Sequence, residues 1–363
     1  MCQKSPCGIF LYSLVCYTGN GINIFYIMPV RIAINGFGRI GRAAFKIALA
    51  KKGIEIVAIN DLTDSKTLGH LLKYDTVYRT YEKTVTSEAG AIIVGGKRFP
   101  TFAEKDPTKL PWKKLKVDVV IESTGHFTDK ASASAHLKAG ARRVVISAPA
   151  KDDTTQTLVF GTQYSADVIS RGKHDDVVSN ASCTTNCISP VIQVLESAFG
   201  VEKALMTTVH SYTADQNLVD GPHRDLRRAR GAAQNIVLTS TGAAIATTKV
   251  VRGLDNLFDG ISIRVPTSCV SISDITALLK KDVTAEQVND AFRTAMKNPL
   301  YKNILTVSDE PLVSSDLIGN PFSAIVDSEF TRVVGGNFVK VLAWYDNEWG
   351  YSVRLVEMAE KIS

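Results

Sequence analysis

The strongest constraint on this chain lies between residues 30 and 61. Val30-Arg31-Ile32-Ala33-Ile34-Asn35 reads as a short β-strand, Gly36-Phe37-Gly38-Arg39-Ile40-Gly41 as a glycine turn, and Arg42 to Lys52 as an amphipathic helix. A second strand, Ile54 to Asn60, ends at Asp61, twenty residues after Gly41. That order and spacing are what a dinucleotide-binding βαβ unit requires. Gly36 allows the tight turn, Gly38 lets the backbone approach a pyrophosphate, and Gly41 lets the helix lie close to the strand. The helix N-terminus then turns unpaired N–H groups toward the anion. Asp61 accepts both ribose hydroxyls and repels a 2′-phosphate, which favours NAD over NADP.

Two further runs, Val117 to Glu122 and Arg143 to Ile146, are apolar enough for strands buried on both faces, and both end in small polar residues. Ligands bind beyond the carboxyl ends of such strands, so Thr124 and Ser147 are expected in the cofactor crevice. The rest of the composition agrees with an enzyme of this kind. A chain of 363 residues suggests two domains, and 45% hydrophobic with 21% charged residues excludes collagen-like, low-complexity and disordered chains. The formal charge of +6 is too dilute for a nucleic-acid groove but suits anionic small ligands. Six cysteines are too few for a disulfide scaffold, so the body reads as a reduced, cytoplasmic protein.

The reactive chemistry is expected in Asn180-Ala181-Ser182-Cys183-Thr184-Thr185-Asn186-Cys187, which follows a strand-like run and opens a helical pattern. Cys183 then sits at a helix N-terminus, where partial positive charge favours the thiolate. Cys187, on the same helix face, reads as core filler, and no metal site is expected from a lone C-x-x-x-C pair. Among six histidines, His210 ends the β-like run from Ala204 and begins a polar loop. From its position alone it is either an acid–base partner for a thiol or a solvated or capping residue.

The strings from Ala33 to Arg42 and from Ser179 to Asn186, with His210-Ser211-Tyr212-Thr213, Ser240-Thr241-Gly242-Ala243-Ala244, Arg264-Val265-Pro266-Thr267 and Trp344 to Tyr351, resemble the signature segments of the phosphorylating glyceraldehyde-3-phosphate dehydrogenases, in the same order. The resemblance runs from Pro29 to the C-terminus. It implies NAD-dependent conversion of glyceraldehyde 3-phosphate and inorganic phosphate to 1,3-bisphosphoglycerate in glycolysis or gluconeogenesis. Cys183 would form the thiohemiacetal and thioester, with His210 as base. Thr213, Arg228 and Arg264 would hold the substrate phosphate, and Ser182, Thr184, Thr241 and Gly242 the attacking phosphate. Arg39 and Ile40 would offer backbone N–H groups to the pyrophosphate. Asp61 would hold the adenosine ribose, Lys105 would lie near adenine, and Ser147 near the nicotinamide half. Asn347 would bind the carboxamide, with Tyr351 beside it. A homotetramer is also implied, with no membrane or dedicated nucleic-acid partner. Erythrose-4-phosphate dehydrogenase, which shares the nucleophile but deacylates by hydrolysis, is the sibling reading, and a non-catalytic nucleotide-binding protein is the remote one.

The segment Lys151 to Val177 is several residues longer than is common in that family. Thr63 and Asp64 leave some NADP use open, while Pro222 leans toward NAD. The expected fold is α/β: a Rossmann-type domain over 28–182, completed by 347–363, and an α+β catalytic domain over 183–346 with a mainly antiparallel sheet. Thr284 and Gln287 predict a capping box. Residues 1–27 carry one charge, Lys4, and read as an unstructured leader or upstream translation, with Met28 as the functional start; targeting is the other reading.

Overall fold

The computed structural model describes residues 2–4, 10–18 and 21–363, with side chains from residue 28 onward. Cys2–Lys4, Phe10–Thr18 and Gly21–Ile27 pair antiparallel in a sheet of their own. The expectation of a leader over the whole of 1–27 takes in positions that lie outside the described residues.

From Val30 the chain builds a nine-stranded sheet in the order Gln156–Thr157, Val177–Ser179, Arg143–Ile146, Val119–Glu122, Val30–Asn35, Ile54–Asn60, Lys97–Phe102, Ala91–Val94, Val85–Glu88. The first seven run parallel, and the last two add antiparallel to that edge. Because successive side chains point to opposite faces, the apolar runs supply two cores. Ile32 and Ile34 pack with Phe45, Leu355 and Val356 on one face. Ala33, Val120 and Val144 pack with Trp112 on the other. The C-terminal helix Trp349–Lys361 returns to this sheet beside Arg39–Ala50, and Lys51 pairs with Glu360 at 2.5 Å.

Val30–Asn35 has Ile54–Asn60 on one side and Val119–Glu122 on the other, so the strand order reverses at its carboxyl end. A buried polar chain crosses the strand ends there. The Trp112 indole N–H donates to His136 Nδ1 at 3.0 Å, which places the imidazole hydrogen on Nε2, 3.1 Å from Glu122. Glu122 also accepts from Asn35 at 2.5 Å and from the Thr124 N–H and hydroxyl at 2.8 and 2.5 Å. Asn60 donates to Asn35 at 2.7 Å and exchanges hydrogen bonds of 2.9 Å with the Glu104 backbone.

A second sheet of seven strands has the order Val237–Ser240, Phe258–Val265, Val201–Ser211, Ser271–Leu279, Phe338–Tyr345, Ala324–Val334, Leu305–Ser308. It is mainly antiparallel, with parallel pairs at Val201–Ser211 with Phe258–Val265 and at Leu305–Ser308 with Ala324–Val334. Buried positions alternate strictly along Ser271–Leu279, and this inner face packs against the helices Cys183–Phe199 and Ala285–Ala295. The Thr284 capping box forms with both of its hydrogen bonds. For this sheet the sequence offers Ala204 to His210, Gly260 to Val265, Val270 to Leu279 and Phe338 to Tyr345 as strands, while Val237–Ser240, Leu305–Ser308 and Ala324–Val334 escape that reading. In Ala324–Val334 the buried run stops at Asp327 and charged residues follow, so its pattern is half strand and half loop.

Candidate active site

Two strand-to-helix turns at the carboxyl edge of the parallel sheet carry the candidate residues. At the first, Gly36 has φ +91°, and a Cβ there would lie 2.6 Å from the backbone of Ser123 and Thr124. A Cβ on Gly41 would run into the Gly36 carbonyl oxygen. These two glycines therefore serve close packing. A Cβ on Gly38 would meet nothing within 4 Å, so the backbone lies open to a ligand at the head of the Arg39–Ala50 helix, which has no side-chain cap. A cavity of about 450 Å³ opens there, lined by Gly36, Gly38, Asp61, Lys105 and Thr124 among others. Asp61 is held by the Phe37 and Thr63 N–H groups at 2.7 and 2.9 Å, which leaves carboxylate lone pairs for further donors. The bare helix terminus, open glycine and fixed acid fit a dinucleotide. The Thr124 hydroxyl donates to Glu122 and accepts from the His126 N–H at 3.1 Å, so Thr124 lines the crevice as a wall rather than as a free donor. Ser147 lies at the end of the neighbouring strand and does not line this cavity.

At the second turn, Ala181 takes φ +54° and Ser182 caps the helix by accepting the Thr185 N–H at 3.0 Å. The Tyr351 hydroxyl donates to the Ala181 carbonyl at 2.9 Å and fixes the turn from the C-terminal helix. Cys183 opens the helix half-buried, with Sγ 3.4 Å from His210 Nε2. The ring is oriented by its other nitrogen: Nδ1 lies 2.7 Å from the Ser211 carbonyl, an acceptor, so the network assigns the hydrogen to Nδ1 and leaves Nε2 bare toward sulfur. Sheet register sets Arg264 directly opposite His210 on the neighbouring parallel strand. Its guanidinium donates to Thr213 Oγ1 at 2.8 Å, and its buried Nε has no partner.

Burial, then the Arg264 charge, lowers the His210 pKa to about 3, so the imidazole is neutral at ordinary pH. The helix terminus predicts a lowered Cys183 pKa, yet the net direction is upward. Burial outweighs the pull of Arg264 and of hydrogen bonding from Thr184 and the Cys183 amide. The resting pair is therefore thiol and neutral imidazole, with Sγ and Nε2 in contact. Cys187 is buried completely and donates to the Ala343 carbonyl at 3.7 Å, as core filler should.

Thr213, Arg228 and Arg264 are drawn together around Asp215, which accepts from Thr213 and pairs with Arg228. Although burial works against it, these partners hold the Asp215 carboxyl below its ordinary range. Ser182 is engaged as a cap, and Thr184 Oγ1 lies 2.9 Å from the Tyr345 hydroxyl. Thr241 Oγ1 accepts the Ala243 N–H at 3.2 Å, and Gly242 stands exposed at the head of Ala243–Thr248. Asn347 is buried, with its amide oxygen taken by Ser211 and Ser271 at 3.0 and 3.1 Å, so its NH₂ is the end left to bind. Arg39 and Ile40 are the first two residues of their helix.

Sequence reasoning missed Tyr345, whose hydroxyl bridges Thr184 and Thr208, and the serines that orient Asn347. Tyr345 had a signal, since it falls on the buried phase of the Phe338–Tyr345 alternation. Ser211, Ser271 and Asp215 had none, because each acts through a residue distant in sequence or across a loop.

Comparison with known proteins gives a consistent result. The family model described as glyceraldehyde 3-phosphate dehydrogenase, NAD binding domain, matches residues 30–130, and the one described as its C-terminal domain matches residues 182–347. A glyceraldehyde-3-phosphate dehydrogenase of Borreliella burgdorferi is 52% identical over 339 residues, covering 92% of this chain and 99% of the relative. One from Bacillus cereus is 51% identical over 332 residues, 91% of this chain and 97% of the relative. One from Geobacillus stearothermophilus is 48% identical over 340 residues, 93% of this chain and 99% of the relative.

Proposed function

Because the chain belongs to the glyceraldehyde-3-phosphate dehydrogenase family, an NAD-dependent group of oxidoreductases, we propose that it converts glyceraldehyde 3-phosphate and inorganic phosphate to 1,3-bisphosphoglycerate through an acyl-cysteine. The observation that carries this reading is the Cys183–His210 contact, with the bare Nε2 of a neutral imidazole 3.4 Å from sulfur. As Cys183 Sγ bonds to the aldehyde carbon, its proton passes by way of Nε2 to the carbonyl oxygen, giving a thiohemiacetal. His210 then removes that hydroxyl proton as the C=O re-forms and hydride leaves, giving the thioester. NAD, when bound, supplies the hydride acceptor. A phosphate oxygen next attacks the thioester carbon, the C–S bond breaks, and sulfur recovers the proton held on Nε2. The backbone N–H of Cys183 lies in the first turn of its helix, where amides have no intrahelical acceptor, and is suited to stabilise the oxygen as charge builds.

Gly36, Gly38, Gly41, the Arg39 and Ile40 amides, Asp61, Lys105 and Thr124 would hold the adenosine and pyrophosphate, with Ser147, Asn347 and Tyr351 toward the nicotinamide. Thr213, Arg228 and Arg264 would bind the substrate phosphate, supported by the unpartnered Arg264 Nε. Ser182, Thr184, Thr241 and Gly242 would bind the attacking phosphate. The return of Trp349–Lys361 to the first sheet supports a dinucleotide unit of 28–182 plus 347–363 and a catalytic unit of 183–346. The outer face of the second sheet exposes Leu205, Leu238, Ile261, Phe330 and Phe338, which supports burial against further copies in a homotetramer. Free Cys183, Cys187 and Cys269 support a reducing, cytoplasmic setting. Among the described residues no helix is long and apolar enough to cross a membrane. NADH formation from NAD and glyceraldehyde 3-phosphate is expected to require phosphate. Turnover that ignores phosphate would indicate hydrolytic deacylation and overturn the phosphorylating reading.

A further inference from the structure

Asn347 is gripped from three directions. Its own amide oxygen is held from the second sheet by Ser211 and Ser271. Both of its sequence neighbours are held by side chains of the parallel-sheet half. Glu348 receives the Arg39 guanidinium as a two-pronged fork, at 2.5 Å from Nε and 2.6 Å from Nη2. Asp346, 1% exposed, receives the Tyr78 hydroxyl at 2.8 Å, together with the N–H groups of Gly319, Glu348 and Trp349.

Arg39 and Tyr78 are themselves joined. Asp75 bonds the Arg39 guanidinium at 3.2 and 3.3 Å and accepts the N–H groups of Val77 and Tyr78 at 2.8 and 3.0 Å. The Tyr78 ring has the Arg39 guanidinium over it, 5.8 Å from its centroid, and the Trp349 ring at 5.3 Å. Arg39 is also the first residue of the helix whose bare head faces the crevice. A single side chain thus links the turn at the pyrophosphate end to the loop that carries Asn347.

We propose that Arg39 and Tyr78 are positioning residues for the nicotinamide end of the cofactor, acting through Glu348 and Asp346 on Asn347. The proposal rests on the reading of Asn347 as the residue that binds the carboxamide. A bidentate guanidinium–carboxylate pair fixes angle as well as distance, which lysine or a neutral amide does not reproduce. Loosening either neighbour lets the Asn347 NH₂ drift while the glycine turn and Asp61 stay in place. The effect is therefore confined to one end of the dinucleotide.

Calorimetric titration of NAD and of ADP-ribose, which lacks the nicotinamide, separates the two ends. The wild-type protein is expected to prefer NAD. In Tyr78→Phe, and separately in Glu348→Gln, that preference is expected to shrink by about tenfold, the size of one well-placed hydrogen bond, with ADP-ribose affinity held within about twofold. An unchanged preference in both variants overturns the proposal, as does equal weakening of both ligands, which marks a generally loosened fold. A wild-type protein that binds NAD without preferring it to ADP-ribose overturns instead the reading of Asn347 on which the proposal stands. Tyr78→Phe removes one oxygen from a packed ring, so it keeps the test open if Glu348→Gln fails to fold.

Discussion

The turn at Gly36–Gly41 and the turn at Asn180–Cys183 are the same device used in two ways. Each follows a strand of one parallel sheet and opens a helix at the sheet's carboxyl edge. The first is stripped of side chains: Gly38 caps nothing, and the helix head is left for a ligand. The second is furnished: Ser182 closes the cap, Tyr351 holds the turn, and Cys183 projects toward a histidine from another sheet. On the proposed function, the bare helix head binds the cofactor and the capped head carries the nucleophile. The difference lies in which groups the backbone leaves unsatisfied.

That contrast can be broken in three places. Cys183→Ser is expected to reduce NADH formation by roughly ten-thousandfold or more while NAD binding is retained. Parallel steady-state and NAD-titration measurements check this, and joint loss of both functions would merge the two turns into one site. At the bare turn, Gly41→Ala drives a methyl into the Gly36 carbonyl and should cost about 1–3 kcal/mol of stability in urea unfolding. Gly38→Ala has free space, so it should fold normally and weaken NAD by roughly tenfold. Reversal of that order would mean that the glycines have been given each other's duties.

The furnished turn also carries a pH dependence. His210 has a folded pKa near 3 against an ordinary 6.5, so the native state binds fewer protons than the unfolded chain between those values. Its contribution to stability is complete above pH 6.5 and is lost as pH falls toward 3. His210→Gln lacks this loss, so the stability gap between the wild-type protein and the variant should change in the variant's favour from pH 7 to pH 4. A constant gap in urea midpoints would show that the imidazole is not held neutral by burial.

Much of the first turn was legible because its parts are neighbours in sequence, with glycine, helix and terminal acid all within about thirty residues of Val30. The Thr284 cap was legible for the same reason. Cys183 was visible as a helix-opening cysteine, but its partner was not fixed by position. His210 meets it only because a strand of the second sheet ends beside the helix head, and the family resemblance singled that histidine out. The direction of the Cys183 pKa was misread, since a helix terminus is local and burial is a property of the whole fold. Arg264 was singled out by the family resemblance, but its register opposite His210 needed the sheet itself. Asp215 at the centre of the arginine loop, and the two serines behind Asn347, leave no periodic trace at all.

The polar chain from Trp112 through His136, Glu122, Asn35 and Asn60 to Glu104 also governs alignment. Apolar strands slide past one another with little to distinguish neighbouring offsets, since one aliphatic contact resembles the next. Donors and acceptors are not interchangeable in that way. Sliding Ile54–Asn60 by one residue along Val30–Asn35 would carry Asn60 away from Asn35 and leave buried amides bare, at about 1–3 kcal/mol each. These few side chains act as a key cut for a single offset, so the sheet that frames the crevice can close in only one alignment.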